Sequence, residues 1–474
     1  MRRYQMHVSA APRKANRYEL VKSPFNGEIV GEVALGNTLD IEAAIDSASG
    51  AFAHTRLLPT HERARLLEGI SSKIHERSAE LARLIACESG KPIRYARGEV
   101  TRAALTFTLG AAAARGLGGE VLPIDQLPGT EGRLCLYRRV PKGPVAAISP
   151  FNFPLNLVAH KLSPALAVGA SVVLKPPPQA PLTAHVLAEI VEELGAPPGA
   201  FNVVHCPPEV AEIMVQDDRL KVLSFTGSDT VGWRLKSIAG KKSVLLELGG
   251  NAPCVIDEGT NLDSVMPRIV EACWANAGQV CIKAQRVLIH ESLYDRFVEA
   301  FVEATRTIEP GDPLDENTVV GPVIQHQHVD RILEWVKEAV DGGARQLLGG
   351  EASGQLVKPV ILSETRPEMR VYRNEVFGPV TILERFSDFG AALATCNASR
   401  FGLQAGIFTN DLNHAFRAFA ELEYGGVLIN DTPMLRVDNY PYGGVKDSGL
   451  GREGVRFAVE EFSEPKVLVV NTTG

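Results

Sequence analysis

The apolar and polar residues between positions 145 and 250 follow two alternating periods. Short runs rich in Val, Leu and Ala are followed by longer segments in which apolar residues recur every three or four positions, with Gly, Pro or Asn between them. The first pattern predicts strands and the second predicts helices. A β-α-β-α series of this kind indicates a parallel sheet covered by helices. The predicted strands are 145–149, 171–174, 201–204, 222–226 and 244–248, and the predicted helices are 155–168, 182–194, 209–215 and 230–238.

A second alternating series follows Gly249 and Gly250, where we place a domain boundary. Upstream of position 145, helical periodicity predicts helices over 39–53, 61–86 and 95–113. The candidate strands of the second series are 254–256, 287–290, 357–361 and 428–430.

Two extended segments belong to neither series. One is a hairpin-like piece at 119–140, and the other is a terminal strand at 465–470 that contains Lys-Val-Leu-Val-Val. Strands without a partner favour pairing with another subunit.

Composition limits the classes of protein that this chain can represent. Its 474 residues are 45% hydrophobic and 22% charged, which suits a globular protein of two or three domains. The net charge of -7 makes nucleic acid an unexpected partner. The seven cysteines are scattered and lack the spacing of a zinc site or a disulfide scaffold, so we expect no metal and a cytoplasmic location.

Two further segments bear on targeting. The most apolar stretch, 145–173, is interrupted by Pro, His and Lys, so we expect no membrane-spanning helix. The first eighteen residues are basic, as in a transit peptide, but lack the apolar core of a secretory signal, and we interpret them as a flexible arm.

The candidate chemistry centres on Cys281, at the end of the run Asn-Ala-Gly-Gln-Val-Cys. A thiolate is a nucleophile, and Glu247, in the run Leu-Glu-Leu-Gly-Gly, offers a carboxylate that can activate water. Together the two residues are typical of a covalent oxidation site. Taken alone, a cysteine in apolar surroundings is more often a small buried hydrophobic residue.

Three motifs lie where predicted strands end, at the edge where parallel sheets bind ligands. Asn152 can donate its amide to an oxyanion, or it can cap the next helix. Lys175 can reach ribose or phosphate oxygens, or it can be solvated. Gly227 and Ser228 form a turn before a helix and leave N–H groups free for a pyrophosphate, although the run is not G-x-G-x-x-G.

A fourth motif, Asn-Glu-Val-Phe-Gly-Pro, places Glu375 and Phe377 beside a turn, which alone indicates loop architecture.

The order of all these motifs along the chain is more specific than any one of them. From about Ser23 to about Val470 the sequence resembles the aldehyde dehydrogenase superfamily, in particular its lactaldehyde, glycolaldehyde and semialdehyde branch. The stretch 430–453, with Pro-Tyr-Gly-Gly-Val-Lys-Asp-Ser-Gly and Gly-Arg-Glu, resembles that family's C-terminal signature.

The resemblance implies an α/β fold with three parts. These are a Rossmann-type cofactor domain at 1–118 and 141–249, an α/β catalytic domain at 250–449, and a small β oligomerisation element at 119–140 and 450–474. It also implies NAD or NADP as the cofactor and a homodimer or homotetramer as the assembly.

The resemblance also implies a role for each motif. Cys281 attacks the aldehyde, the Asn152 side chain and the Cys281 backbone N–H hold the oxyanion, and Glu247 activates the water that releases the acid. Lys175 and Glu375 hold the adenine-side and nicotinamide-side riboses. The implied cofactor-binding residues are Ile148, Ser149, Pro150, Phe151, Lys175, Pro178, Phe225, Gly227, Ser228, Val231, Leu248, Glu375 and Phe377.

The adenosine side departs from the family's pattern at two places. Pro178 stands where NAD-preferring relatives often carry a glutamate, so no acid there repels a 2′-phosphate and dual use of NAD and NADP is expected. The loop 206–211 lacks the glycines that many relatives carry beside the adenine.

Three positions bear on the substrate. Val280 stands where relatives that act on phosphorylated aldehydes tend to have arginine, which disfavours a phosphate-bearing substrate. The resemblance places His160 and Arg436 at the aldehyde pocket. Alternatively, His160 is a core histidine and Arg436 pairs with Asp438. We interpret Arg102 as a structural ion-pair partner.

We therefore expect NAD(P)-dependent, non-acylating oxidation of a small polar aldehyde, such as lactaldehyde or glycolaldehyde, with a carboxylated semialdehyde as the alternative substrate. A non-phosphorylating glyceraldehyde-3-phosphate dehydrogenase and a CoA-acylating dehydrogenase are less favoured, the latter because it needs no water-activating Glu247. The intact set of Cys281, Asn152 and Glu247 disfavours a catalytically silent binding protein.

Overall fold

Two large sheets with packed helices dominate residues 1–472, which the computed structural model describes. The helices are α1 (Thr38–Thr55), α2 (Thr60–Glu76), α3 (Ser78–Ser89), α4 (Ile93–Gly116), α5 (Asn156–Val168), α6 (Leu182–Glu193), α7 (Pro208–Gln216), α8 (Asp229–Ile238), α9 (Leu262–Trp274), α10 (Glu291–Arg306), α11 (His326–Asp341), α12 (Arg370–Arg373), α13 (Phe389–Asn397), α14 (Leu412–Glu421) and α15 (Val455–Phe462). The strands are β1 (Arg3–Tyr4), β2 (Met6–Val8), β3 (Ala11–Arg13), β4 (Tyr18–Lys22), β5 (Ile29–Ala34), β6 (Gly119–Leu122), β7 (Arg133–Pro141), β8 (Val145–Ile148), β9 (Val172–Lys175), β10 (Phe201–Val203), β11 (Val222–Thr226), β12 (Ser243–Glu247), β13 (Ala252–Ile256), β14 (Ala284–His290), β15 (Arg345–Leu348), β16 (Ala352–Ser353), β17 (Leu356–Val357), β18 (Val360–Ser363), β19 (Val380–Phe386), β20 (Phe401–Gly402), β21 (Gln404–Phe408), β22 (Gly426–Ile429), β23 (Val445–Lys446), β24 (Gly449–Leu450) and β25 (Ser463–Asn471).

The first large sheet contains the strands predicted between positions 145 and 250. Its order is β24-β12-β11-β8-β9-β10-β2-β3, and the five strands from β12 to β10 run parallel. Along β9, Val172 and Leu174 pack into one apolar core while Val173 packs into another, so both faces of the sheet are buried. Such two-sided burial explains the continuous apolar runs in the sequence. Because Ile148 pairs with Lys175, neighbouring strands end at the same edge.

The second large sheet is built from the second half of the chain. Its order is β15-β18-β19-β14-β13-β21-β22, and every neighbouring pair except β15 with β18 is parallel. The predicted α/β class is therefore confirmed.

The two extended segments that fit neither series pair with each other. The strand β25 runs antiparallel to β7 from Ser463 opposite Pro141 to Asn471 opposite Arg133, and β6 completes a sheet of order β25-β7-β6. Among residues 1–472, no strand pairs along the other edge of β25 between Ser463 and Val470. Pairing with a second subunit stays a prediction. Residues 473–474 of the expected oligomerisation element lie outside the described residues.

Two predicted elements are each divided in the structure. The helix expected over 61–86 is α2 and α3, separated at Arg77, whose φ of -96° and ψ of 18° leave the helical region. Both helices bury the same three-to-four-residue apolar pattern, so periodicity alone does not reveal the break. The strand expected over 357–361 is β17 and β18, because Pro359 between them has no N–H to donate.

The expected flexible arm at the N-terminus is wrong. Strand β2 is buried and pairs antiparallel with β10 through His7 and Val203, and β3 folds back on β2 as the edge strand. Met6, at the centre of this arm, is fully buried. Strands of two and three residues are too short to give a readable period, which is why the sequence did not reveal them.

The residues around and after the boundary expected at 449/450 pack against the first half of the chain. Strand β24 adds to β12 of the first sheet, with Leu246 opposite Leu450, and α15 packs against α4 and α5 of the same half. Within residues 1–472, no helix is both long and apolar enough to cross a membrane. The division into three domains stays a prediction.

Candidate active site

A cavity of about 990 Å³ is lined by the carboxyl ends of β8, β9, β11 and β12 and by loops from the second half of the chain. Asn152, Glu247 and Cys281 all line it. The structure also brings together at this cavity every residue expected to contact the cofactor, namely Ile148, Ser149, Pro150, Phe151, Lys175, Pro178, Phe225, Gly227, Ser228, Val231, Leu248, Glu375 and Phe377.

A left-handed turn leads into Cys281. Asn276, Ala277 and Gly278 have φ angles of 54°, 55° and 67°, a region that glycine adopts freely, that asparagine tolerates and that strains alanine. A side chain at Gly278 would overlap the backbone carbonyl of Gly378, so this turn packs directly on the loop that carries Glu375 and Phe377. Strained backbone of this kind clusters at functional sites.

The electrostatic surroundings of Cys281 act in opposite directions. Burial raises the pKa of the Cys281 thiol to about 11, and the charges of Glu375 and Glu247 add to this rise. The Tyr442 hydroxyl, 3.3 Å from Sγ, and the charge of Arg436 lower the same pKa. The free protein therefore holds Cys281 as a thiol, with groups beside it that favour the thiolate.

Asn152 does not cap the helix that follows it. The Glu99 carboxylate takes that place, accepting from the backbone N–H groups of Leu155 and Asn156 at 2.8 and 3.1 Å. Asn152 Nδ2 instead donates to the backbone carbonyl of Gln279 at 3.0 Å. The amide is therefore held against the segment that carries Cys281, and its buried Oδ1 has no hydrogen-bond partner among the described residues.

Glu247 ends β12 inside the cavity wall. Both carboxyl oxygens are buried, and neither has a hydrogen-bond partner within residues 1–472. Burial, followed by the charge of Glu453, raises the pKa of Glu247 well above its ordinary value. A buried carboxyl of this kind is a strong base once it has lost its proton.

A buried charge network lies behind Glu247. Lys161 Nζ donates to Thr226 Oγ1 at 2.7 Å and lies 3.4 Å from Glu453 Oε1, while Arg436 Nη2 donates to Glu453 Oε2 at 2.9 Å. Burial raises the pKa of Glu453, but the charges of Lys161 and Arg436 outweigh this effect and hold that pKa at about 2. Glu453 is therefore a fixed negative charge between two cations.

Asp438 pairs with two side chains beside the lining residues Arg102 and Arg436, a part of the cavity that we call the Arg436 end. Arg102 donates to both Asp438 oxygens, at 3.1 and 2.7 Å, and His160 Nε2 lies 2.8 Å from Oδ1. The prediction that Arg102 forms an ion pair is confirmed, but its side chain also lines the cavity. The expectation that His160 lines the pocket is wrong: its side chain is fully buried behind Asp438, so it is the core histidine of the alternative interpretation.

Arg436 and Val280, the other two expected pocket residues, do line the cavity. Arg436 pairs chiefly with Glu453, and its Nε lies 4.0 Å from Asp438 Oδ1, too far for a hydrogen bond. Arg94, which the sequence did not reveal, joins Arg102 and Arg436 in the lining.

The part of the cavity formed by the strand ends at Ile148 and Lys175, which we call the Lys175 end, offers groups suited to a dinucleotide. Lys175 lines it with a largely buried amine, and burial lowers the Lys175 pKa. Ser228 caps α8 by accepting from the Val231 N–H at 3.4 Å, so the helix N-terminus opens on the cavity. Glu375 accepts from the Gly250 N–H at 3.1 Å, and burial raises its pKa to about 7.

Comparison with known proteins decides the family. The profile of the aldehyde dehydrogenase family matches residues 11–468. A relative named 3-sulfolactaldehyde dehydrogenase, from Priestia aryabhattai, is 39% identical over 472 residues, which cover 99% of this chain and 98% of the relative. The chain belongs to the aldehyde dehydrogenase family. It is an NAD(P)-dependent oxidoreductase of small aldehydes.

Solved aldehyde dehydrogenase structures share the whole fold. Aldehyde dehydrogenase 21 from Physcomitrella patens, in complex with the reaction product succinate, has a TM-score of 0.98 and 41% identity, covering 100% of this chain and 99% of that one. Glyceraldehyde-3-phosphate dehydrogenase GapN from Methanocaldococcus jannaschii, complexed with NADP, has a TM-score of 0.92 and 37% identity, covering 96% of this chain and 100% of that one.

Sequence reasoning missed several residues that line this aldehyde dehydrogenase's cavity or belong to the charge network behind it. Lys161 and Glu99 carried a usable signal, because each is a charged residue on an otherwise apolar, buried helix face, where charges occur only when paired. Arg94 carried none, since an exposed helix position is common in any protein, and Tyr442 lies in the Pro-Tyr-Gly-Gly run, which indicates the family but not a contact with Cys281. Their place at the cavity follows from the tertiary fold.

Proposed function

We propose that this enzyme oxidises a small aldehyde that carries an anionic group at its far end, and that it releases the carboxylic acid. The observation that carries the proposal is the set of arginines Arg94, Arg102 and Arg436, which line the cavity together with Cys281. This favours the semialdehyde alternative over an uncharged hydroxyaldehyde.

At the Arg436 end of the cavity, the positive side chains outnumber the negative ones. Asp438 offsets Arg102, and Glu453 lies between Lys161 and Arg436. Unlike its neighbour Arg97, Arg94 forms no ion pair within residues 1–472. An anion at this end supplies the missing negative charge, and arginine holds carboxylates and sulfonates through charge-assisted hydrogen bonds.

Arg436 also has an unused donor. Its Nε is buried and has no hydrogen-bond partner in the described part of the chain. Buried donors are ordinarily paired, so an acceptor from a ligand would satisfy it. The names of the three relatives supply fitting chemistry, because sulfolactaldehyde, succinate and glyceraldehyde-3-phosphate all carry an anionic group.

The chemistry proposed for the chain's own residues is covalent. Cys281 releases its proton to solvent, and its Sγ bonds to the aldehyde carbon. The oxygen that becomes negative accepts from the Asn152 amide and from the Cys281 backbone N–H. After oxidation leaves a thioester on Cys281, Glu247 takes a proton from water, and the resulting hydroxide releases the acid. The free Glu247 carboxyl supports hydrolysis rather than transfer of the acyl group to CoA.

The cofactor end fits a dinucleotide. Lys175 offers an amine to ribose or phosphate oxygens, the start of α8 offers N–H groups to a pyrophosphate, and Glu375 offers a carboxylate to the other ribose. The nicotinamide supplies hydride acceptance when NAD or NADP is bound. Pro178 lines the cavity without a charge, which supports use of both forms.

The assembly proposed is a homodimer or homotetramer in the cytoplasm. The open edge of β25 and its exposed residues Val467, Leu468, Val469 and Val470 support self-association. The free cysteines support a reducing compartment. Light scattering of a chain ending at Glu464 tests the assembly: a lower mass is expected, and an unchanged mass would assign the interface elsewhere.

The substrate class can be tested with matched aldehydes. We expect succinate semialdehyde to have a higher kcat/KM than butanal, an uncharged aldehyde of equal carbon number, with either cofactor. Arg94→Gln should lower kcat/KM for the semialdehyde by about tenfold, the scale of one charge-assisted hydrogen bond, and should leave butanal unchanged.

Arg97→Gln is the matched control, because Arg97 lies one turn along α4, pairs with Glu316 and does not line the cavity. It should alter neither aldehyde. Equal losses for both aldehydes in Arg94→Gln, or a preference for butanal in the wild type, would contradict the anionic class and favour a neutral hydroxyaldehyde.

A further inference from the structure

Tyr442 touches the sulfur of Cys281. Its hydroxyl oxygen lies 3.3 Å from Sγ, a hydrogen-bond distance for sulfur, and its side chain is almost completely buried. No other side chain among the described residues forms a hydrogen bond with Sγ. The contact is therefore part of the immediate surroundings of the nucleophile.

The hydroxyl is the donor whenever the sulfur is a thiolate. Burial, and then the charge of Cys281, raises the pKa of Tyr442 well above its ordinary value, so the phenol keeps its proton. A thiolate has no proton to give and can only accept. Hydrogen bonds to charged acceptors are stronger than those between neutral groups, so the contact favours the thiolate over the thiol.

The position of the hydroxyl is fixed from several sides. The Arg436 guanidinium lies over the Tyr442 ring, 3.7 Å from its centre. The backbone of Tyr442 exchanges two hydrogen bonds with that of Glu453, at 3.0 and 2.6 Å. The ring packs in one apolar cluster with Val280 and Ile282, the residues on either side of Cys281. The donor is therefore oriented before any substrate arrives.

We propose that Tyr442 is a catalytic residue whose hydroxyl stabilises the Cys281 thiolate twice in each turnover. Before attack, it donates to the sulfur that is about to form the C–S bond. When hydroxide adds to the thioester and the C–S bond breaks, the electron pair returns to sulfur, and the same hydroxyl donates to the departing thiolate. Tyr442 keeps its proton throughout, and the proton from water goes to Glu247. The second role rests on the proposed function.

The test is the pH dependence of Cys281 alkylation by iodoacetamide in the cofactor-free enzyme, followed by mass spectrometry of the peptide that contains Cys281. Tyr442→Phe keeps the ring and its packing and removes only the hydroxyl. Below the midpoint of the profile, we expect alkylation of the variant to be about tenfold slower at each pH, the equivalent of a pKa higher by about one unit. Steady-state kcat should fall by at least as much.

Tyr440→Phe is the matched control. Tyr440 lies two residues away on the same segment, and its hydroxyl lies 2.9 Å from Gln404 Oε1 and 3.0 Å from the Leu435 carbonyl oxygen rather than against Cys281. Its alkylation profile should follow that of the wild type. A Tyr442→Phe profile that coincides with the wild type would overturn the proposal, because removal of the hydroxyl would then have left the acidity of the thiol unchanged.

A second substitution keeps the test valid if Tyr442→Phe folds poorly. Replacing Tyr442 with 3-fluorotyrosine retains the hydroxyl and makes it a stronger donor, so alkylation at a given pH should become faster. Slower or unchanged alkylation would count against the proposal. Failure of the proposed function gives a different result: butanal would be preferred to succinate semialdehyde, or Cys281→Ala would retain turnover, whatever the alkylation profiles show.

Discussion

The Lys175 end of the cavity is assembled from strand ends, whereas the Arg436 end is assembled from ion pairs between distant segments. At the Lys175 end, Ile148 and Lys175 close neighbouring strands of one parallel sheet. At the Arg436 end, Arg102 reaches Asp438 across 336 positions of sequence, and His160 reaches it across 278. Regular secondary structure fixes the first set, and buried charge fixes the second.

Because of this difference, the two ends should respond differently to side-chain substitution. A strand end keeps its position when one side chain changes, because the backbone ladder and the two flanking cores hold it. A buried ion pair loses its geometry when one partner is removed, since the remaining charge is left without compensation. We therefore expect substitutions at the Lys175 end to alter affinity and substitutions at the Arg436 end to alter structure as well.

The largest expected effect lies where the two ends meet. Cys281→Ala should lower turnover by at least about 1,000-fold while leaving cofactor affinity nearly unchanged, because only the covalent step needs the sulfur. Steady-state assays and cofactor titration by fluorescence measure the two quantities. Cys87→Ala is the control, since Cys87 is also half-buried but lies outside the cavity. A Cys281→Ala enzyme with a tenth of the activity would reassign the nucleophile.

Glu247→Gln should divide the reaction into its two halves. The amide cannot accept the proton of water, so steady-state turnover should fall by about 100- to 10,000-fold while one stoichiometric burst of reduced nicotinamide survives. Mass spectrometry should then find the acyl group on Cys281. Normal turnover without an adduct would remove this role from Glu247.

Asp438→Asn tests the Arg436 end as a structural unit. The amide keeps one acceptor but loses the charge that pairs with Arg102, so we expect a loss of about 1–3 kcal/mol, seen as a lower Tm. Asp263→Asn is the control, because the pair of Asp263 with Arg296 is exposed and contributes little. Equal Tm values for the Asp438 variant and the wild type would show that this pair does not hold the segment.

Lowering the pH should reduce the difference in Tm between the wild type and Asp438→Asn. Burial raises the pKa of Asp438, but hydrogen bonds from His160 and Arg102 outweigh this effect and hold that pKa well below its ordinary value. A carboxyl with a lowered folded-state pKa stabilises the fold above its unfolded pKa of about 3.9 and loses that contribution as the pH falls further. The Tm of the wild type should therefore approach that of Asp438→Asn below about pH 4.

The same contrast explains what the sequence could predict. Strand ends follow from local periodicity, so the residues at the Lys175 end could be placed from the sequence and its resemblance to a family. The geometry of the Arg436 end depends on which loop packs against which helix, and the periodicity of apolar residues does not indicate this. His160 illustrates this limit, because its helix was predicted correctly while its partner Asp438, which turns it away from the cavity, lies in an irregular loop.

The smallest effect is expected at Pro178, at the Lys175 end. An acid there would accept the 2′-hydroxyl of NAD and repel the 2′-phosphate of NADP, so Pro178→Glu should weaken NADP by about 1 to 2 kcal/mol, or roughly tenfold to thirtyfold, in fluorescence titrations. Pro178→Gln is the control for loss of the proline ring, and it should alter both cofactors alike because it adds no charge. Since Pro178 is exposed at the cavity mouth, neither variant should lower the Tm as Asp438→Asn does. If the wild type already rejects NADP by more than about 1,000-fold, another residue discriminates between the cofactors, and this strand end would not control the choice.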